Sequence, residues 1–257
     1  MRTSLPFAIY PDWPVPDNIV AFSSLRKGAG VSQFPYEQFN LAAHVGDDPD
    51  IVKSNRMILN QSCEGLDHIT WLNQVHGTRV VTAGEENNPV ADGCISSAPG
   101  VGCAVMTADC LPVILCDQYG QQIAAVHAGW RGLAAGVVEE AIAQFAADAA
   151  DILVWLGPAI GPENFEVGED VRQSFLDAAS TTEKRKISSA FVKHGSKKNH
   201  FFSDLYQIAR IRLNAMSVTK VYGGGLCTYA DSDRFYSYRR DGVTGRMVTM
   251  IYKKSIC

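Results

Sequence analysis

Three short segments each present one soft metal ligand among turn-forming residues: Asn73-Gln74-Val75-His76-Gly77, Thr107-Ala108-Asp109-Cys110-Leu111-Pro112 and Val126-His127-Ala128-Gly129-Trp130-Arg131-Gly132. His76, Cys110 and His127 together make a mixed nitrogen and sulfur set with three protein ligands. Three ligands leave the fourth corner of a tetrahedral zinc open, which is the pattern of a catalytic site rather than a structural one. Zinc bound in that way turns water into a nucleophile near neutral pH. Thiolate and imidazole together favour zinc over magnesium or calcium. The three ligands are far apart in the chain and match no short zinc motif. A buried Cys is most often simply core, and a His beside Gly is often a turn residue.

The elements that must hold these residues can be read from apolar runs and caps. Asn18 to Ser24, Ile69 to Val75, Gly102 to Met106, Leu111 to Cys116, Gln122 to Val126 and Ile152 to Leu156 read as strands. On this reading all three ligands fall at strand ends or in the loops that follow, where rigid elements hold functional side chains. Asp48-Pro49 starts a helix running to about Asn60, with Asp as N-cap and Pro at the first position. Further helices are predicted from Leu133 to about Ala147, from Glu169 to Ala179, and from Leu205 to about Met216 behind an Asp204 cap. Ser180 to Ser189 reads as a polar surface loop, and Arg234 to Tyr238 with Met247 to Tyr252 as a terminal hairpin. Many strands and about four helices, without regular βαβ alternation, predict a single α+β domain.

Bulk properties narrow the function classes. The net charge of −4 gives no long-range attraction for nucleic acid or anionic lipid, so an anionic substrate would need local Arg groups. The basic cluster of Lys193, His194, Lys197 and Lys198 is too short to change this, and nucleic acid is not expected as a partner. No apolar run is long enough to span a bilayer, and Met1 to Pro16 lacks an apolar signal-peptide core. A cytoplasmic location without membrane association is therefore expected. Seven cysteines without a framework spacing then read as reduced thiols, with Cys257 incidental at the terminus.

The same three segments resemble the signature segments of the laccase-domain family, a multicopper-oxidase-like group regarded as purine nucleoside phosphorylases and including a bacterial peptidoglycan editing factor. Phe39-Asn40-Leu41 with His44-Val45-Gly46-Asp47-Asp48, Leu156-Gly157-Pro158-Ala159-Ile160-Gly161-Pro162 and Tyr236-Ser237-Tyr238-Arg239-Arg240-Asp241 match as well, in the right order. The resemblance covers nearly the whole chain and implies one domain over residues 1–257. It implies a four-layer α/β/β/α sandwich with mixed sheets and a zinc held by His76, Cys110 and His127. It also implies phosphorolysis of adenosine, inosine and methylthioadenosine, and deamination of adenosine. Purine nucleosides and phosphate would then be the partners, with a peptidoglycan precursor as a further one. The loop Leu25-Arg26-Lys27-Gly28-Ala29-Gly30-Val31-Ser32 departs from the family pattern by one extra residue.

Several residues are candidates for the remaining work. Asp109 beside Cys110 is a proton carrier, an orienter of a ligating His, or a turn-forming Asp bonded to nearby backbone. Arg131 is the first candidate for phosphate, through bidentate contacts and the helix start that follows it, with Arg240, Arg239 and Arg26 behind it. His44 is a candidate to line the same cleft. A rival reading makes Cys110 the nucleophile and His127 the base of a cysteine-type amide hydrolase. Copper oxidation is poorly supported, because six His without a His-x-His pair cannot build a multicopper centre. A zinc-stabilised binding module would need a fourth ligand; none has a persuasive setting, with Cys94 and Cys103 the remaining candidates.

Overall fold

A computed structural model describes residues 5–255. Cys257 and the first four residues of the N-terminal stretch lie outside that range. One sheet has the spatial order β1 (Ala8–Ile9), β2 (Ile19–Ser24), β14 (Met247–Lys253), β6 (Val101–Thr107) and β3 (His68–Thr70). Its pairs are antiparallel except β3, which runs parallel to β6. A second sheet runs β13 (Lys220–Gly223), β9 (Ile152–Leu156), β7 (Leu111–Asp117), β8 (Ile123–Ala128), β5 (Gly93–Ser96) and β4 (Val80–Thr82). It is antiparallel at its centre and parallel at both edges. A small antiparallel sheet joins β10 (Glu166–Gly168), β12 (His200–Ser203) and β11 (Phe191–Lys193).

The central strands are apolar on both faces because both faces are covered. On β7, Ile114 and Cys116 pack between the two large sheets with Cys103, Val105 and Ile251 of the first. Val113 and Leu115 point the other way, into a layer of helices. That layer holds α2 (Trp130–Ala135), α3 (Val137–Ala143), α4 (Glu169–Ala178), α5 (Thr181–Ser188) and α6 (Leu205–Ala215). On the outer face of the first sheet, Phe22, Ala104 and Met250 pack against Leu59 of α1 (Pro49–Gln61). The result is the expected α/β/β/α sandwich in a single α+β domain. No helix among the described residues is long and apolar enough to cross a membrane.

Four expectations need correction. The strand expected over Ile69 to Val75 stops at Thr70, so His76 is carried by irregular chain, tied back by the Asn73–Val90 bridge and by the Gln74 side chain on the Met106 backbone. The helix expected from Leu133 begins at Trp130 and breaks at Gly136, whose φ of 99° is left-handed. Ser180 to Ser189 is helix α5 rather than a loop; Ser180 and Glu183 form a capping box that outweighs a nearly apolar-free sequence. The terminal hairpin does not form. Both edges of β14 are taken by β2 and β6, and Tyr238–Asp241 becomes the short helix α7, capped by Ser237.

Candidate metal centre

Antiparallel pairing of β7 with β8 sets Pro112 opposite His127 and Leu111 opposite Ala128. Cys110, immediately before β7, therefore falls beside the end of β8. His127 lies within β8, one residue from its end, rather than in the loop beyond. Strand alternation puts it on the face of Ile123 and Ala125, towards the first sheet. The site thus closes one end of the layer between the sheets.

His76 arrives from the other side with φ at 62°, a left-handed conformation uncommon outside glycine. Its Nε2 stands 3.7 Å from Cys110 Sγ, and its ring meets that of His127 edge-on with centroids 4.7 Å apart. One ligand atom from each of His76, Cys110 and His127 lies within 4.8 Å of the others. A thiolate and an imidazole nitrogen on one tetrahedral zinc would be about 3.6 Å apart, so the separations suit a shared ion. Gly129 makes this approach possible. A Cβ there would sit 2.7 Å from the His76 ring and 3.2 Å from Cys110 Sγ.

Asp92, which sequence reasoning missed, organises the site. Its fully buried carboxylate accepts the Nδ1 proton of His127 at 2.8 Å. It also accepts the backbone amides of Val75, His76 and Gly77 at 3.2, 2.9 and 2.7 Å. Its carbonyl takes the His127 amide at 2.7 Å. Because a carboxylate only accepts, His127 must carry its proton on Nδ1, which leaves Nε2 to face the shared point. In the sequence Ala91-Asp92-Gly93 reads as a turn and carries no signal of this role.

Without a metal the electrostatics favour a Cys110 thiolate beside a His127 imidazolium, whose Nε2 proton a bound metal would displace. Burial alone would push the Cys110 thiol up, but the charge and hydrogen bonds of His127 and His76 outweigh it and bring it down to about 6. Burial pulls His127 down, while the Cys110 charge and the Asp92 hydrogen bond carry it up to about 9. Asp92 resists its own burial through His127 and the amides of Gly77 and Val75, and stays below the usual carboxylate range.

The other candidates are dispersed. Asp109 is buried with φ at 90°; its carboxylate accepts the Thr228 hydroxyl at 2.6 Å and the Arg239 amide at 2.7 Å. The carboxylate hydrogen-bonded to His127 is thus Asp92, not Asp109. The Arg239 guanidinium donates to the Glu166 carbonyl, and that of Arg240 to the carbonyls of Thr228, Tyr229 and Phe235 and to Asp241. Arg26 is tied to Glu37 and the Ser232 carbonyl. Arg131 is exposed in the first turn of α2, stacked on Trp130. His44 is exposed on the wall of a cavity of about 400 Å³ with Arg56, Trp71, Asn73 and Met106. Cys94 and Cys103 are buried between the sheets and do not join the ligand group.

A family model described as multi-copper polyphenol oxidoreductase laccase matches residues 20–254. The chain belongs to this family. Purine nucleoside phosphorylase YfiH of Escherichia coli (strain K12) is 48% identical over 246 residues, 95% of this chain and 98% of that protein. Purine nucleoside phosphorylase PA4543 of Pseudomonas aeruginosa is 49% identical over 242 residues, 94% of this chain and 96% of that one. The solved structure of Neisseria meningitidis protein NMB0706 superposes with a TM-score of 0.90 at 44% identity, covering 97% of this chain and all (100%) of that one. YlmD from Geobacillus stearothermophilus gives 0.89 at 27% identity, covering 99% and 98%. The laccase family's multi-copper description asks for more donors than this site offers, since the described residues bring together one group of three.

Proposed function

We propose that the protein is a zinc-dependent purine nucleoside phosphorylase acting on adenosine, inosine and methylthioadenosine, with adenosine deamination as a second activity. One observation carries the chemistry: a thiolate and two imidazoles converge beside a carboxylate that fixes the tautomer of one of them. The names of the relatives support the reaction class. The donor set suits a borderline-soft ion better than a hard one, which favours zinc.

Bound zinc would supply Lewis-acid charge at a tetrahedral site with an open corner. His76, Cys110 and His127 would hold it. Asp92 keeps the His127 proton on Nδ1, so that Nε2 stays free to ligate. Asp109 acts here as a positioning residue, tying Thr228 and Arg239 to the turn before Cys110. Arg26, Arg239 and Arg240 spend their guanidinium groups on neighbouring loops and shape the walls. Arg131, two residues beyond Gly129, keeps an exposed head for substrate. Phosphorolysis breaks the C1′–N9 bond, forms a C1′–O bond to phosphate, and returns a proton to the purine nitrogen.

The amide-hydrolase reading finds an Asp92–His127–Cys110 line that could serve a nucleophile, but it leaves the approach of His76 to Sγ without a purpose. Incubating purified protein with adenosine, with and without phosphate, tests the proposal. Adenine and ribose 1-phosphate formed only with phosphate, lost on chelation and restored by zinc, are expected, with inosine marking deamination. No product under any condition refutes the proposal, and amide hydrolysis surviving complete metal removal supports the rival.

A further inference from the structure

Two arginines and one imidazole gather about the segment 40–44. Arg56 donates from Nε to the Leu41 carbonyl at 2.8 Å and lies flat over Trp71, 3.8 Å from the ring centre. Arg246 is joined to the same segment through its backbone: its amide donates to Asn40 Oδ1 at 3.0 Å, and its carbonyl accepts the Leu41 amide at 3.4 Å. His44 follows three residues later and shares the cavity wall with Arg56.

Both arginines are half-buried, and neither has a carboxylate within ion-pair distance among the described residues. This sets them apart from Arg212, Arg26 and Arg240, which pair with Glu139, Glu37 and Asp241. The carboxylate on the cavity wall, Glu86, is already paired with Arg79 at 2.6 Å. Shielded guanidinium groups held without an acid are costly unless an anion from outside completes them. Burial accordingly pulls Arg56 down to about 10. Burial, then Arg246 and Arg56, pull His44 below its ordinary value, so both positive charges bear on one place. Burial lowers Arg246 too, against the opposing charges of Cys110 and Asp109; Asn73 and Met106 on the cavity wall lead into the segments that carry His76 and Cys110.

We infer that Arg56, Arg246 and His44 form an oxyanion site for inorganic phosphate next to the metal centre. The inference rests on the phosphorolysis reading for its purpose, and on two guanidinium groups held by backbone carbonyls without a carboxylate for its place. Planar guanidinium forks match tetrahedral phosphate oxygens; that of Arg56 is oriented by the Leu41 carbonyl and Trp71, and that of Arg246 by the Thr244 and Gly245 carbonyls.

Calorimetric titration of the zinc-loaded protein with inorganic phosphate reads the site directly, and steady-state kinetics reads its use. Arg246→Gln and the surface change His44→Gln are each expected to raise the phosphate KM at least about tenfold. Nucleoside KM should stay within about twofold, with zinc content retained. Arg172→Gln, on the far helix layer, serves as the control. Phosphate binding of equal strength in wild type and variants, or none in wild type, overturns the inference. So does a variant that loses adenosine monophosphate binding while phosphate KM is unchanged, since the cluster would then read a nucleotide. If wild type binds phosphate at this cluster but never consumes it, the anion site stands and the phosphorolysis reading fails.

Discussion

At Asp92, one carboxylate receives an imidazole and three backbone amides from the segment that carries His76. It therefore joins two ligands that lie far apart in the chain. Asp92→Asn keeps the shape but exchanges an acceptor for a donor, and at least one buried N–H then faces an NH₂ group. Weakening such an outer partner reduces metal affinity about 10- to 100-fold. Zinc competition against a colorimetric chelator should show that loss with the far-UV circular dichroism unchanged; undiminished affinity would remove Asp92 from the site. Cys110 and His127 were evident as donors from residue type, but Asp92 was not. A carboxylate before glycine looks the same whether it ends a turn or supports a metal ligand.

At the scale of elements, the junction of β8 with α2 does the positioning. Gly129 caps α2 and at the same time leaves room for the His76 ring. Gly129→Ala should displace that ring while leaving the β7–β8 pairing intact. The expected outcome is loss of at least about nine-tenths of bound zinc, measured by elemental analysis, with little change in secondary structure. Full zinc occupancy in this variant would show that His76 is not a ligand. Apolar strands β6, β7, β8 and β9 were legible because continuous burial leaves a continuous apolar run. Helix α5 was not, since it buries only Ile187 and depends on its cap. Strand β14 was legible as a strand, but its partners lie in distant parts of the chain.

At the scale of the molecule, the ligand group is a charged pair at the end of a buried layer, and its stability depends on pH. In metal-free protein Cys110 is lowered from about 9 to about 6, so its contribution is present at alkaline pH and is lost as pH falls through about 6. His127 is raised from 6.5 to about 9, so its contribution is present at acidic pH and is lost as pH rises through about 9. Each shift depends on the other's charge, and the pair therefore stabilises only between those limits. Thermal melts of chelator-treated protein should show a maximum Tm between about pH 6 and 9 that Cys110→Ala removes. A profile the same in both proteins would mean that the two side chains do not interact.

Residue chemistry and local pattern determined by themselves that this chain has one α+β domain, which apolar runs form its central strands, and which three side chains are soft donors. Those properties follow from burial and from side-chain type, which neighbours in sequence express. Only the tertiary structure decided that the donors meet, that Asp92 rather than Asp109 supports them, and that Arg56 and Arg246, unlike Arg26 and Arg240, lack an acidic partner among the described residues. These are matters of strand register and of which loops share an end of the sheets. Such distances are set by pairing between remote segments, and no local spacing in the chain records them.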